Sequence, residues 1–173
     1  MNFKDILVSL FAISVIVILP HTELIPNFGY SILILLFVWL ILKYSSETFS
    51  DIGFSFKRFK INSILTGSLV AIATLSFMQL IFFPALDYFL TFEETDIGLY
   101  DFIRENKWQY FLILIMGWLV GGFYEEIVFH GFIFTRLEKM FQGKYCTEIS
   151  FVITSGIFGA YHFQLGTLGL INA

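Results

Sequence analysis

Five long stretches of this chain carry almost no charge: Ile6–Thr22, Leu24–Leu42, Ile61–Leu86, Trp108–Thr135 and Ile149–Ala173. Each is near or above the ~20 residues a helix needs to cross about 30 Å of hydrocarbon. They are apolar on all sides, as spans are and amphipathic surface helices are not. The composition leads to the same place. Apolar residues make up 57% of 173 residues and charged ones 14%, against roughly 25% charged in average globular proteins. A sphere of this size has too much surface to hide so much apolar side chain from water. The expectation is an all-α, polytopic transmembrane helix bundle with about five spans, forming a single membrane-embedded domain over residues 1–173. The first apolar run is read as a retained span and not as a secretory signal. Asp5 spoils the positive leader region, and no small-x-small cleavage site precedes Pro20.

The charges between the segments set the orientation. Lys4, Lys43, Lys57, Arg58, Lys60, Arg136, Lys139 and Lys144 fall on one side if the helices alternate. The other side holds Arg104 and Lys107 within the acidic stretch Glu93–Glu105. The positive-inside rule then makes this a multi-pass protein of the cell membrane with a cytoplasmic N-terminus. Ser45–Lys60 mixes aromatics with cations and is read either as a segment lying at the headgroups or as a solvated connector. Pro84 is expected to end or kink the third span. A net charge of −4 leaves no basic face for nucleic acid, and the single cysteine, Cys146, excludes a disulfide framework.

Only the fourth stretch contains formal charges, Glu125 and Glu126. Each costs about 2.5–3.5 kcal/mol inside a span when charged and unpaired, and no structural need demands that expense. His162 is the ionisable residue of the fifth stretch. Gly117, Gly121 and Glu125 step by fours, as do Gly122, Glu126 and His130; Ser155, Gly159, His162, Gly166 and Gly169 share one stripe of a helix. Small residues at such spacing let transmembrane helices approach closely. Glu125 and His162 are thereby expected at compatible depths, nearer the cytoplasmic side. A carboxylate meeting an imidazole there suits hydrolysis: the acid takes a proton from water and returns it to a leaving amine. With a divalent metal such as zinc, the candidate ligands are Glu125, Glu126 and His162.

At these residues the chain resembles a known family. Glu125-Glu126-Ile127-Val128-Phe129-His130-Gly131 is similar to the EExxxR-G motif of the CPBP intramembrane metalloproteases. That family groups the type II CAAX prenyl endopeptidases with bacteriocin-processing and immunity (Abi-like) proteins. Phe158-Gly159-Ala160-Tyr161-His162 resembles its FxxxH motif, and Ser50-Asp51-Ile52-Gly53-Phe54 its pre-helix segment. The motif region spans 117–166. The resemblance implies that Glu125 and His162 activate water, that Glu126 supports the site, and that His130 and Phe158 lie in its supporting shell. It also implies a membrane-proximal peptide or prenylated peptide as substrate. Two departures stand out. His130 replaces the family arginine, a fork able to hold a carboxylate in two hydrogen bonds. The family also carries a further span with another His and an Asn or Asp, and the chain ends at Ala173 before it; an incomplete core lacking its C-terminal spans is the expectation.

Three readings stay open on the sequence: an intramembrane endopeptidase, a non-catalytic relative that binds a peptide or acts as an immunity factor, and a proton or ion translocator using the same buried acids.

Overall fold

The computed structural model describes residues 1–22, 25, 29–58, 60–89, 101, 106–163 and 166–172. Its regular elements are helices, with no strand among the described residues, so the chain is an all-α membrane helix bundle. Three helices are long and apolar enough to cross a membrane: Phe3–Thr22, Ile61–Phe89 and Lys107–Met140. Two more, α2 (Gly29–Tyr44) and α7 (Cys146–Tyr161), have 16 residues each. The acidic stretch Glu93–Glu105 lies outside the described residues apart from Asp101. The chain forms two compact units, one of Met1–Phe54 with Asp96–Ala173 and one of Ser55–Thr95.

In the first unit, α1 (Phe3–Ile18) starts at Asn2, whose Oδ1 accepts the Asp5 N–H at 2.9 Å and so satisfies a donor the helix end leaves open. It runs antiparallel to α2. The Lys4 ammonium lies 5.5 Å from the Tyr44 ring centre at the far end of α2, and Phe11 meets Phe37 edge to face. Residues four apart make the shared face: Ala12 and Ile16 on α1, Ile34, Val38 and Leu42 on α2, all at most 1% exposed. Val128, Phe129, Phe132 and Ile133 of the long helix Lys107–Met140 complete this core. That helix begins at Asn106, which accepts the Trp108 and Gln109 N–H groups.

Beyond α2 the chain makes a tight 3₁₀ turn, Phe49–Ile52. Thr48 and Asp51 cap it reciprocally, and Gly53, at φ +91°, closes it. Ile52 is 5% exposed and packed in the core. The first half of Ser45–Lys60 is therefore not a free connector; an apolar anchor, Ile52, holds it against the long helix.

The second unit contains α3 (Ile61–Phe77), a wide π-type turn (Met78–Phe82) and α4 (Phe83–Phe89). Pro84 does not end the helix. Its missing N–H and its ring crowd an ordinary turn, and the turn before it is widened instead, with the Phe83 N–H bonding the Met78 carbonyl five residues back.

Candidate active site

The long helix changes pitch where the acids sit. After α5 (Lys107–Gly117) it widens into π-type turns over Trp118–Tyr124 and Glu126–Ile133, then returns to α6 (Phe134–Met140). The Glu125 N–H donates to the Val120 carbonyl, five residues back. Such turns often mark functional sites, because they re-aim side chains that a regular helix would hold in register.

Two acid–imidazole pairs result. Glu125 Oε1 stands 3.6 Å from His162 Nε2, both side chains 18% exposed. Glu126 Oε2 stands 3.5 Å from His130 Nδ1, one turn along the same helix, with the carboxylate 66% and the imidazole 47% exposed. The adjacent acids thus serve different partners, one inward and one outward.

His162 is held from behind. Helix α7 stops at Tyr161, and His162 caps it. The Phe158 carbonyl accepts both the His162 backbone N–H at 3.3 Å and its ring Nδ1–H at 2.9 Å. A carbonyl only accepts, so Nδ1 carries the proton and Nε2 faces Glu125. The Phe158 ring packs on His162 (centroids 4.6 Å apart), Phe129 (4.9 Å) and His130 (5.5 Å), so it touches members of both pairs. The FxxxH spacing has a physical basis here: the carbonyl four residues back takes the last helical N–H on one lone pair and has a second free for the ring.

The glycine stripes behave differently from expectation. α7 ends at His162, so Ser155, Gly159, His162, Gly166 and Gly169 do not form one continuous stripe. The chain turns at Gly166 (φ +78°) into α8 (Gly166–Asn172), and a Cβ on Gly159 would come within 3.2 Å of the Leu170 carbonyl. Gly159 serves this local reversal. Gly117 has open space around it, and Gly121 and Gly122 face only side chains of their own helix. The close approach in the motif belongs to Gly131, where a Cβ would lie 3.1 Å from the Ile52 carbonyl. Ile52, Gly53 and Phe54 line a cavity of about 230 Å³ there with Glu126, Ile127, His130 and Gly131.

The two residues meet as expected, but at the other end of the unit from the one the sequence suggested. Tyr161 meets His21 edge to face at 5.2 Å, and Tyr30, at the start of α2, meets Tyr124 at 5.8 Å. The Glu125–His162 pair therefore sits toward the end of the unit marked by His21, opposite the end where Lys4 packs on Tyr44. Sequence boundaries misplaced it because the long helix continues to Met140, past Thr135, and His162 caps the far end of α7.

Sequence reasoning also missed an ion-pair knot at that opposite end. Arg136, counted as a loop cation, is 4% exposed; its Nη2 pairs with Glu47 Oε2 at 2.7 Å, and its guanidinium lies 5.0 Å from the Phe132 ring centre. Lys139 pairs with the same carboxylate. The knot ties the turn carrying Ile52 to the base of the long helix. No local signal announces it, since Glu47 and Arg136 are far apart in sequence.

Glu125, Glu126 and His162, the candidate metal ligands, are split between the two pairs. Among the described residues no three carboxylate, imidazole or thiolate groups converge. The described residues alone give a metal no three-ligand site.

Residues 107–173 match the family model of the Rce1-like type II CAAX prenyl endopeptidases, and over that stretch the chain is similar to the CPBP/CAAX protease family. The match covers both pairs and less than half of the chain. No curated protein and no solved structure gives a significant match.

Proposed function

We propose that the protein is an intramembrane endopeptidase that cleaves a membrane-proximal peptide bond with water activated by Glu125 and His162. The observation that carries this is the 3.6 Å approach of Glu125 Oε1 to a His162 Nε2 whose tautomer the Phe158 carbonyl fixes. Two acceptors then face one another, and a water donating one hydrogen to each sits at the apex above them with its lone pair free. Attack on the scissile carbonyl forms the C–O bond while Glu125 takes the water's proton. Collapse breaks the C–N bond, and Glu125 returns that proton to the leaving amine. Glu126, paired with His130 beside the cavity at Ile52–Phe54, holds the outer wall of the site. The family match supports a protease, and a prenylated or otherwise membrane-tethered peptide is the substrate class proposed. The positive-inside rule makes the end carrying Lys4, Lys43, Arg136 and Lys139 cytoplasmic.

The test is cleavage of membrane-tethered peptides by the full natural protein in proteoliposomes, read by mass spectrometry. Glu125→Gln and His162→Ala should each abolish product. Turnover that survives in both variants would remove the assignment.

A further inference from the structure

The residues next to the site in sequence are both tyrosines, Tyr124 before Glu125 and Tyr161 before His162, and the mechanism above uses neither. Both turn inward. Tyr124 is 1% exposed and Tyr161 3%. With Tyr30 of α2 they gather three phenols from three helices: Tyr30 meets Tyr124 edge to face, and the Tyr161 phenol is in reach of both. Tyr161 also touches the His162 ring at 5.1 Å on one side and exposed His21 at 5.2 Å on the other.

Burying a hydroxyl in a membrane protein without a partner is costly, and such groups in folded proteins are regularly satisfied by internal water. The Tyr124 hydroxyl, wholly buried, makes no close hydrogen bond among the described residues and has only the Tyr161 phenol as a looser neighbour. Phenylalanine would fill the same space without that cost, and the chain uses it at 23 positions.

We propose that Tyr30, Tyr124 and Tyr161 hold an internal water site behind the Glu125–His162 pair, reached from the end of the unit marked by His21. A hydrolase surrounded by lipid needs a source of water, and this cluster is a polar lane leading to its imidazole. The water's hydrogens and lone pairs satisfy the Tyr124 hydroxyl together with its two phenol neighbours. The link to turnover rests on the function proposed above; the water site itself does not.

The experiment is X-ray radiolytic labelling of the full chain in lipid nanodiscs in ¹⁸O-water, which oxidises side chains touching bound water. Phe132 and Leu42, 0% and 1% exposed, are the controls for burial alone. Labelling of Tyr124 and Tyr161 should be several-fold above both controls, and Tyr124→Phe should lower it at Tyr161. Labelling at the control level on both tyrosines would overturn the site. The same measurement on Glu125→Gln, which has no activity in the proposed mechanism, should give the wild-type pattern. Loss of turnover in Tyr124→Phe with unchanged labelling at Tyr161 would also count against the proposal. Tyr→Phe keeps the ring packing, so folding is preserved and checked by thermal unfolding.

Discussion

Gly131 lies so close to the Ile52 carbonyl that a β-carbon there would sit 3.1 Å from it. This contact seats the turn after α2 against the long helix beside Glu126 and His130. Gly131→Ala should force the two apart and lower stability by about 1–3 kcal/mol, the usual cost of overpacking. Gly117→Ala meets open space and should be neutral or stabilising by up to ~1 kcal/mol, since alanine is the better helix former. Thermal unfolding in matched detergent separates the two.

The Glu47–Arg136 pair is buried on the arginine side. Removing the arginine leaves the partly exposed Glu47 with Lys139 alone, so Arg136→Met should cost about 1–3 kcal/mol, the usual loss of a charged hydrogen bond. Lys139, 39% exposed in its pair with Glu47, should cost less than about 1 kcal/mol when replaced by Met. Pairing Glu47→Gln with Arg136→Met should cost less than the two single changes added, because they share one interaction. Denaturant or thermal unfolding of the four proteins closes the cycle.

The outer pair is exposed, and its replacement should act on chemistry more than on stability. His130→Arg should change unfolding stability by less than about 1 kcal/mol and retain cleavage, with Arg136 and Gly131 untouched. Arginine stays charged at any working pH whereas histidine titrates near neutrality. Cleavage by the variant should therefore vary less between mildly acidic and neutral pH than cleavage by the wild type. A pH series on both proteins reads this directly, and an equal or steeper dependence in the variant contradicts it.

Phe158 supplies a ring and a carbonyl, and they separate experimentally. Phe158→Leu keeps the carbonyl and should cost under about 1.5 kcal/mol while leaving cleavage in place. An alanine inserted between Gly159 and Ala160 keeps every side chain yet moves His162 off that carbonyl, and should abolish product.

Much of this was legible in the sequence because it depends on local rules. Spans follow from charge-free length, so Ile6–Thr22, Ile61–Leu86 and Trp108–Thr135 each fall within a long apolar helix. The meeting of Glu125 with His162 was visible as ionisable residues on facing helices. The stripe through Gly166 was not, because a regular period assumes an unbroken helix and α7 ends at His162. The separation of Glu126 from Glu125 was legible too, since the two lie on different four-residue steps and Glu126 shares its own with His130. Contacts between distant segments, such as Ile52 with Gly131 and Glu47 with Arg136, leave no local mark. The tyrosines preceding Glu125 and His162 did leave one, a phenol directly before each member of the pair where phenylalanine is the common aromatic.

The imidazole takes its bearing from the polypeptide itself. No point mutation deletes a main-chain oxygen, so a saturation screen at position 158 registers how well each side chain fits and stays blind to the anchor. What inheritance must protect is the count of residues between oxygen and ring. If the proposed chemistry holds, a frame-preserving insertion or deletion inside that interval disarms the protein where exchanges of single letters at position 158 do not.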